Sequence, residues 1–512
     1  FSVTTQPPYP NTASLPCLVR EKAAALISVA SDENEGFGVQ LLSKGKAALD
    51  GIMKQMLLTS DRGKDQDHKQ GEAGLGGSGG ASRRLSALCG SIVLNLSHQR
   101  PFYKFKGAML KSLIQSMKGI LMARPMQLLP RLAAQAKHKI AAFEASVAKQ
   151  QNEFEAKGGG KGGAIPNWSG HRETQPHELI LRQWVDVSLS CKVTMETLAN
   201  LCANTYNGSG GGGGSGGQQT STEFNRLLSA IAEAGLPKAL IGHLFDQAMI
   251  CAAMSTKTLP EQIVQSMDIA TKNKIKTLHE AWNTLKKELP TEDAVRVGRV
   301  VGEIGERTAQ CLLNIVIHFP TKALGDMRGV WKVIQQWTAL LLTSYGDCGP
   351  QSLVSKQVEA VVSLSCQLLT KRCVQPTNAE ILAKLAKGGK TPQTRVYALM
   401  ALPQAGLYPS MHKFNKQIGE VMLGQLEKKE GCTLEEVCAA VEGLIDLYSE
   451  DDVFVDQVKA LELVRRLSRF VPLYESRLRG KEGNALDSVE KEHHLEMLAN
   501  LKAFVEYKAQ NS

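Results

Sequence analysis

The sequence predicts an all-α protein, a solenoid of antiparallel helix pairs, and three observations carry that expectation. The 512 residues are 43% hydrophobic but only 5% aromatic, and strands draw on aromatic and β-branched residues that helices do not need. Apolar residues recur at i, i+3, i+4 and i+7 in segments of about 12–25 residues, and period-2 alternation is never sustained. Connections in the second half are short, so consecutive helices must fold back on each other, and hairpin after hairpin builds a solenoid.

Residues 1–17 lack helical periodicity and read as a disordered or extended segment. Helical periods at 19–30, 38–58, 82–97, 104–122 and 128–157 make residues 18–157 an armadillo-like region. Residues 59–81 are polar and Gly-rich, and 158–175 form a flexible Gly-rich loop, since such composition buries too little apolar surface to order. Residues 176–512 read as HEAT-like repeats. Their helices fall at about 177–205, 222–234, 236–255, 259–288, 292–318, 322–344, 351–371, 378–388, 392–405, 412–429, 434–449, 452–470 and 487–508. A Gly/Ser stretch at 206–221 interrupts this region without changing the kind of sequence on either side.

Start signals support several boundaries. Thr377 with Glu380, and Thr433 with Glu436, have capping-box spacing. Thr391 suits an N-cap, with Pro392 at the favoured first helical position. A degenerate repeat is visible in "RVYALMAL" (395–402), where a small Ala permits close helix contact as in the second helix of HEAT-type units. "ERTAQCLLNI" (306–315) and "LEEVCAAVEGLIDL" (434–447) are looser versions.

The motifs exclude several functions. The chain has no GxSxG elbow, HExxH, Rossmann fingerprint or kinase set, and "GGGKGG" lacks the GK[ST] ending and strand–helix context of a phosphate loop. Neither catalysis nor a cofactor, metal or small-molecule substrate is expected. His493 and His494 point about 100° apart on a helix and read as surface residues. Cys348 has no base proposed beside it. The eleven cysteines show no paired zinc spacing and sit mostly in apolar helical runs, as buried reduced thiols do. No apolar run reaches the roughly 18–20 residues a membrane span needs. The first residue is Phe, with no secretory pattern after it, so an upstream part is expected.

What remains suits recognition. Asn95 and Asn200 each stand in an apolar helical run, where Asn has mediocre propensity; each could hydrogen-bond the backbone of a bound peptide or cap a helix end. The acidic set Glu435, Glu436, Glu442, Asp446, Glu450, Asp451, Asp452 and Asp456 could receive Lys/Arg-rich cargo, or serve a helix N-terminus and a solvated turn. Net charge is +10, with the basic residues concentrated early and the acidic ones late. Lys104, Lys106 and Lys111, with Arg100 and Lys118 and with Tyr103 and Phe105 interleaved, could contact RNA or belong to ordinary helix packing.

The order of segments resembles the symportin family of ARM/HEAT-repeat adaptors. The likeness rests on "RVYALMALPQAGL", "EEVCAAVEGLIDLYSEDD", "LELVRRLSRFVPLYESRLRGKEG" and "NLKAFVEYKA" in series, with "HELILRQWVDVSLSCKVTMETLANLC" and "GSIVLNL" upstream. It implies a non-enzymatic import adaptor and chaperone that escorts the two large-subunit ribosomal proteins of the 5S particle. Such an adaptor would work with a nuclear import receptor, would meet 5S rRNA only indirectly, and would shuttle between cytoplasm and nucleus. Asn95 and Asn200 fall at the family's matching positions. Leu94 stands where relatives carry Trp, and the Gly-rich loops stand where relatives carry acidic insertions. The competing expectations are a general HEAT-repeat scaffold in transport or signalling, and an RNA-binding solenoid.

Overall fold

The computed structural model describes residues 87–88, 107–156, 176–207, 228–254, 265, 267–324, 327–345, 348–428, 431–450 and 454–511. Every regular element among them is helical. The chain divides into two compact units, Phe1–Phe319 and Pro320–Ser512, a boundary inside the stretch read as one repeat region.

The first unit contains α1 (Gly107–Leu121), a 3-10 turn at Pro125–Leu128, α2 (Leu129–Ala156), α3 (Pro176–Asn207), α4 (Leu236–Met254), α5 (Ile269–Glu288) and α6 (Thr291–His318). Helix α3 packs on α1, α2 and α6, while α5 covers α2 and α4. The last carbonyls of α1 accept from the turn that follows, Ile120 from the Ala123 amide at 3.1 Å and Leu121 from the Arg124 amide at 3.3 Å, and each also meets a side chain of another helix. Cys191 Sγ of α3 donates to the Ile120 carbonyl at 3.4 Å, and His243 Nε2 of α4 lies 2.7 Å from that of Leu121. The chain turns at Arg124, whose φ of 41° is left-handed. Its guanidinium donates to the Asp246 carboxylate at 2.7 Å and to the Gly242 carbonyl at 2.6 Å, holding that turn against α4.

Helices α3 and α6 run parallel. Lys192 pairs with Glu303, Glu196 with Arg307, and Asn314 reaches the Ala199 carbonyl, so contacts advance along both helices together. Parallel neighbours joined by intervening antiparallel helices are the geometry of stacked helix pairs. Of the helix expected at 259–288, Ile269–Glu288 is one continuous helix, while residues 259–264 and 266 lie outside the described residues. Asp268 is extended, and its carboxylate accepts from the Thr271 amide at 2.7 Å, a cap that starts the helix there.

The second unit contains α7 (Thr321–Leu324), α8 (Arg328–Tyr345), α9 (Leu353–Thr370), α10 (Glu380–Gly388), α11 (Pro392–Gly406), a 3-10 turn at Pro409–Phe414, α12 (Asn415–Leu426) and α13 (Leu434–Tyr448). It continues with α14 (Val455–Ala460), α15 (Leu463–Arg479), α16 (Lys481–Asn484) and α17 (Ser488–Asn511). The pairs α8/α9, α10/α11, α12/α13 and α15/α17 stack in two rows: α9, α11, α13 and α17 in one, α8, α10 and α12 in the other.

Within the first row every neighbour is parallel. Glu359 meets Thr391 near the starts of α9 and α11, and Tyr408 donates to the Leu369 carbonyl near their ends. Arg395 meets Glu436 near the starts of α11 and α13, and Gly406 abuts Leu447 near their ends. Cys438 meets His493, and Lys508 donates to the Ser449 carbonyl, relating α13 to α17 in the same sense. Helix α12 opposes α13, since Gln425 at its end reaches Glu436 at the start of α13.

Thr391 caps α11 as expected, accepting from the Thr394 amide at 3.1 Å with Pro392 next. Two other expectations need correction. Helix α10 starts at Glu380 after Ala379 with no side-chain cap, so Thr377 makes no box. Gln335 of α8 donates instead to the carbonyl and side-chain oxygens of Asn378, and this tertiary tether sets the helix start. The expected helix at 452–470 is broken at Glu462, whose φ of 49° is left-handed, and α15 then runs on through Pro472.

Candidate functional site

The clearest candidate surface lies on α13. Thr433 accepts from the Glu436 amide at 3.3 Å and fixes the helix start. Glu435 and Glu436 in the first turn complement the positive end of the helix dipole. Val437, Ala440, Val441 and Leu444 are buried, and Gly443 lets α13 approach Pro403 and Met422 at distances a Cβ would violate. Because that side is consumed by packing, the residues left outside are forced onto one edge.

Those residues are Glu435, Glu442 and Asp446, all exposed. Their spacing of seven and four places them in a single stripe, about 16 Å long at 1.5 Å per residue. Among the described residues no cation is paired with any of them. Partial burial raises the pKa of Glu442, helped by the neighbouring Asp446 charge and opposed by His493. Partial burial also raises that of Asp446. A stripe of mutually unfavourable, uncompensated carboxylates attracts cationic groups.

The other members of the acidic set separate. Glu450 and Asp456 are exposed, the latter on α14, and Asp451 and Asp452 lie outside the described residues. Glu436 must be withdrawn from the cargo-binding set. It is fully buried, and its carboxylate accepts from Arg395 at 2.6 and 3.0 Å and from Gln425 at 2.7 Å. Helical phase turns it inward, where it joins α11, α12 and α13.

Asn200 is exposed on α3 and lies seven residues before the helix end, which removes the end-capping alternative. Beside it, Asn314 of α6 donates to the Ala199 carbonyl at 3.1 Å, and Gln310 donates to Asn314 at 3.4 Å. These two amides extend the polar strip next to Asn200. Asn314 stands in an apolar run, "CLLNIVI", as Asn200 does in its own, and only the packing of α6 beside α3 relates the two. Asn95, Lys104 and Lys106 lie outside the described residues. Lys111 is exposed and paired with Glu233 at 3.1 Å, and this partnership lowers the Glu233 pKa.

The expectation that both histidines of "KEHHLEM" are surface residues holds for His493 and fails for His494. His494 is buried, with Nδ1 2.9 Å from the Tyr474 hydroxyl. His493 Nε2 lies 3.4 Å from Cys438 Sγ, but burial, first, and the Glu442 charge push the Cys438 thiol up to about 12, which disfavours a nucleophilic thiolate. Among the described residues, no group of three or more His, Cys, Asp and Glu side chains could hold a metal, and no helix is long and apolar enough to cross a membrane. Cys191, Cys202, Cys311, Cys366, Cys432 and Cys438 are buried and in no disulfide.

Comparison with known proteins adds one family. Residues 298–512 match the family described as "SYO1-like, TPR repeats". TPR and HEAT units are both antiparallel helix pairs, and the two-row packing from α8 onward is the corresponding architecture. No curated protein matches the chain. A solved engineered protein is similar over 96% of this chain and 97% of its own, at 12% identity and a TM-score of 0.24, too low to bear on the fold.

Proposed function

We propose that this chain, whose residues 298–512 carry the repeats of the symportin family, is a non-enzymatic adaptor and chaperone for basic ribosomal proteins of the 5S particle. It holds newly made cargo and escorts it, with a nuclear import receptor, from cytoplasm to nucleus. The observation that carries this reading is the uncompensated stripe of Glu435, Glu442 and Asp446 on a rigid, parallel-stacked helix. Unassembled ribosomal proteins are rich in Lys and Arg, and each cation placed on the stripe relieves carboxylate repulsion as well as forming a new pair. Asn200 adds a candidate backbone contact in the first unit, with Asn314 and Gln310 beside it.

The test is a pull-down of purified 5S-associated ribosomal proteins at low and at raised salt, with a Glu442→Lys/Asp446→Lys variant beside the wild type. Recovery at low salt, lost in the variant and reduced by salt, is the expected result. Failure to recover either ribosomal protein at low salt overturns the reading.

A further inference from the structure

The other row of the second unit carries a surface of opposite character. Between α10 and α12 runs a groove of about 430 Å³. Its floor is apolar: Ala379, Ile418 and Val421 are buried, and Phe414 is half-buried at one end. Lys384 and Lys387 stand on the α10 wall and Lys416 on the α12 wall, all exposed. None of the three is in a salt bridge among the described residues.

The two carboxylates lining the groove do not cancel this charge. Glu420 is engaged by Arg466 at 2.9 Å, in a cluster where Arg466 also holds Glu427. Glu380 remains, at the first position of α10, where it answers the helix dipole. Two more lysines reinforce the positive rim. Lys413 Nζ lies 5.0 Å over the Phe414 ring, and Lys428 Nζ donates to the Lys387 carbonyl at 3.3 Å.

We infer that this groove is a second docking site, for an acidic amphipathic segment of a partner protein: carboxylates meet Lys384, Lys387 and Lys416 while an apolar side chain enters between α10 and α12. The chemistry decides the class of occupant. A cationic cargo is repelled by the lysines. Nucleic acid would use the lysines but leave the apolar floor unfilled, because its phosphates face the protein and the floor offers only the half-buried Phe414 for stacking. An acidic segment with Leu or Phe among its carboxylates uses both features. The inference is independent of the ribosomal reading, since it concerns the opposite row and the opposite charge. It would let one protein hold a basic and an acidic partner at the same time.

The experiment uses the full chain and a fluorescein-labelled peptide of alternating Glu and Leu, followed by anisotropy. Two variants act on different features: Lys384→Glu/Lys387→Glu/Lys416→Glu reverses the rim, and Ala383→Phe fills the groove while leaving the lysines. Circular dichroism establishes that each keeps its helix content. Saturable binding of the Glu/Leu peptide that falls about tenfold or more in both variants, with any binding of a Lys/Leu peptide at the α13 stripe unchanged by Ala383→Phe, is the expected result. Lack of binding, or binding indifferent to both variants, overturns the proposal. So does a labelled single-stranded RNA that binds equally well and is insensitive to Ala383→Phe, since that is a polyanion surface and not a peptide groove.

Discussion

Arg395 on α11 places its guanidinium against the fully buried carboxylate of Glu436 on α13, with hydrogen bonds of 2.6 and 3.0 Å from two nitrogens to one oxygen. Gln425 of α12 satisfies the second oxygen at 2.7 Å, and Arg395 also donates to the Gly389 carbonyl at 2.7 Å. Three consecutive helices of the stack therefore meet at one desolvated charge. Removing a single partner of such a pair strands the other, which costs more than the pair itself contributes. Arg395→Ala should lower stability by about 3 kcal/mol, read as a shift in the urea midpoint. A paired Arg395→Met/Glu436→Leu variant should recover much of that loss, and equal destabilisation by single and double variants would count against the account.

Two glycines of α12 should respond in opposite directions to the same substitution. A Cβ on Gly419 would collide with the Tyr448 hydroxyl and approach Leu461 to 2.7 Å, whereas one on Gly424 meets nothing within 4 Å. Alanine at an unhindered helical position gains up to about 1 kcal/mol over glycine. Gly424→Ala should therefore raise the melting temperature. Gly419→Ala should lower stability by about 1–2 kcal/mol, the clash outweighing propensity. In a Tyr448→Phe background the Gly419→Ala penalty should shrink, a non-additivity that a double-mutant cycle reads directly.

Binding of a basic ribosomal peptide should depend on the α13 stripe and on pH. Each exposed charge pair is worth up to about 1 kcal/mol, so Glu442→Gln/Asp446→Asn should weaken binding about tenfold by titration calorimetry. Both carboxyls have raised pKa values, and a bound cation favours their ionised forms. Wild-type affinity should therefore rise as pH increases through their titration, with proton release on binding. The double variant should lose that pH dependence, and an unchanged slope would remove the stripe from the site.

Acid should destabilise the fold before its carboxylates titrate. Burial, as the leading cause, lowers the pKa of His243, and likewise that of His494, where the His493 charge adds to it. A histidine whose folded pKa is depressed keeps its full contribution above the unfolded value of about 6.5 and loses it as pH falls through that value. The melting temperature should therefore drop between pH 7.5 and 5.5. His494→Asn should flatten part of that drop, and a wild-type profile independent of pH over this range would refute the assignment.

The helical class, most element positions and the Thr391 cap were legible in the sequence because they depend on local matters: apolar period, propensity and the chemistry of residues within a turn of each other. Leu434–Tyr448 and Thr291–His318 lie within a residue of their expected bounds because each combines a strong apolar period with a clear start. The break at Glu462 is not legible in the sequence, since an apolar period continues across it and backbone φ is invisible in a residue string. Asn200 and Asn314 both contrast with apolar neighbours in the sequence, but only the packing of α6 beside α3 brings Asn314 and Gln310 next to Asn200.

Glu436 marks the dividing line between the two kinds of information. By type and neighbours it is indistinguishable from Glu435, and sequence order alone leaves both as solvated acids at a helix start. The parallel stacking of α11 and α13 brings Arg395, from 41 residues earlier, to the one phase of α13 that faces inward. Charge, helix and cap are local properties and were present in the chain order. Which carboxylate stabilises the stack and which remain free for a partner depends on the rotation of one helix against another, and only packing sets that angle.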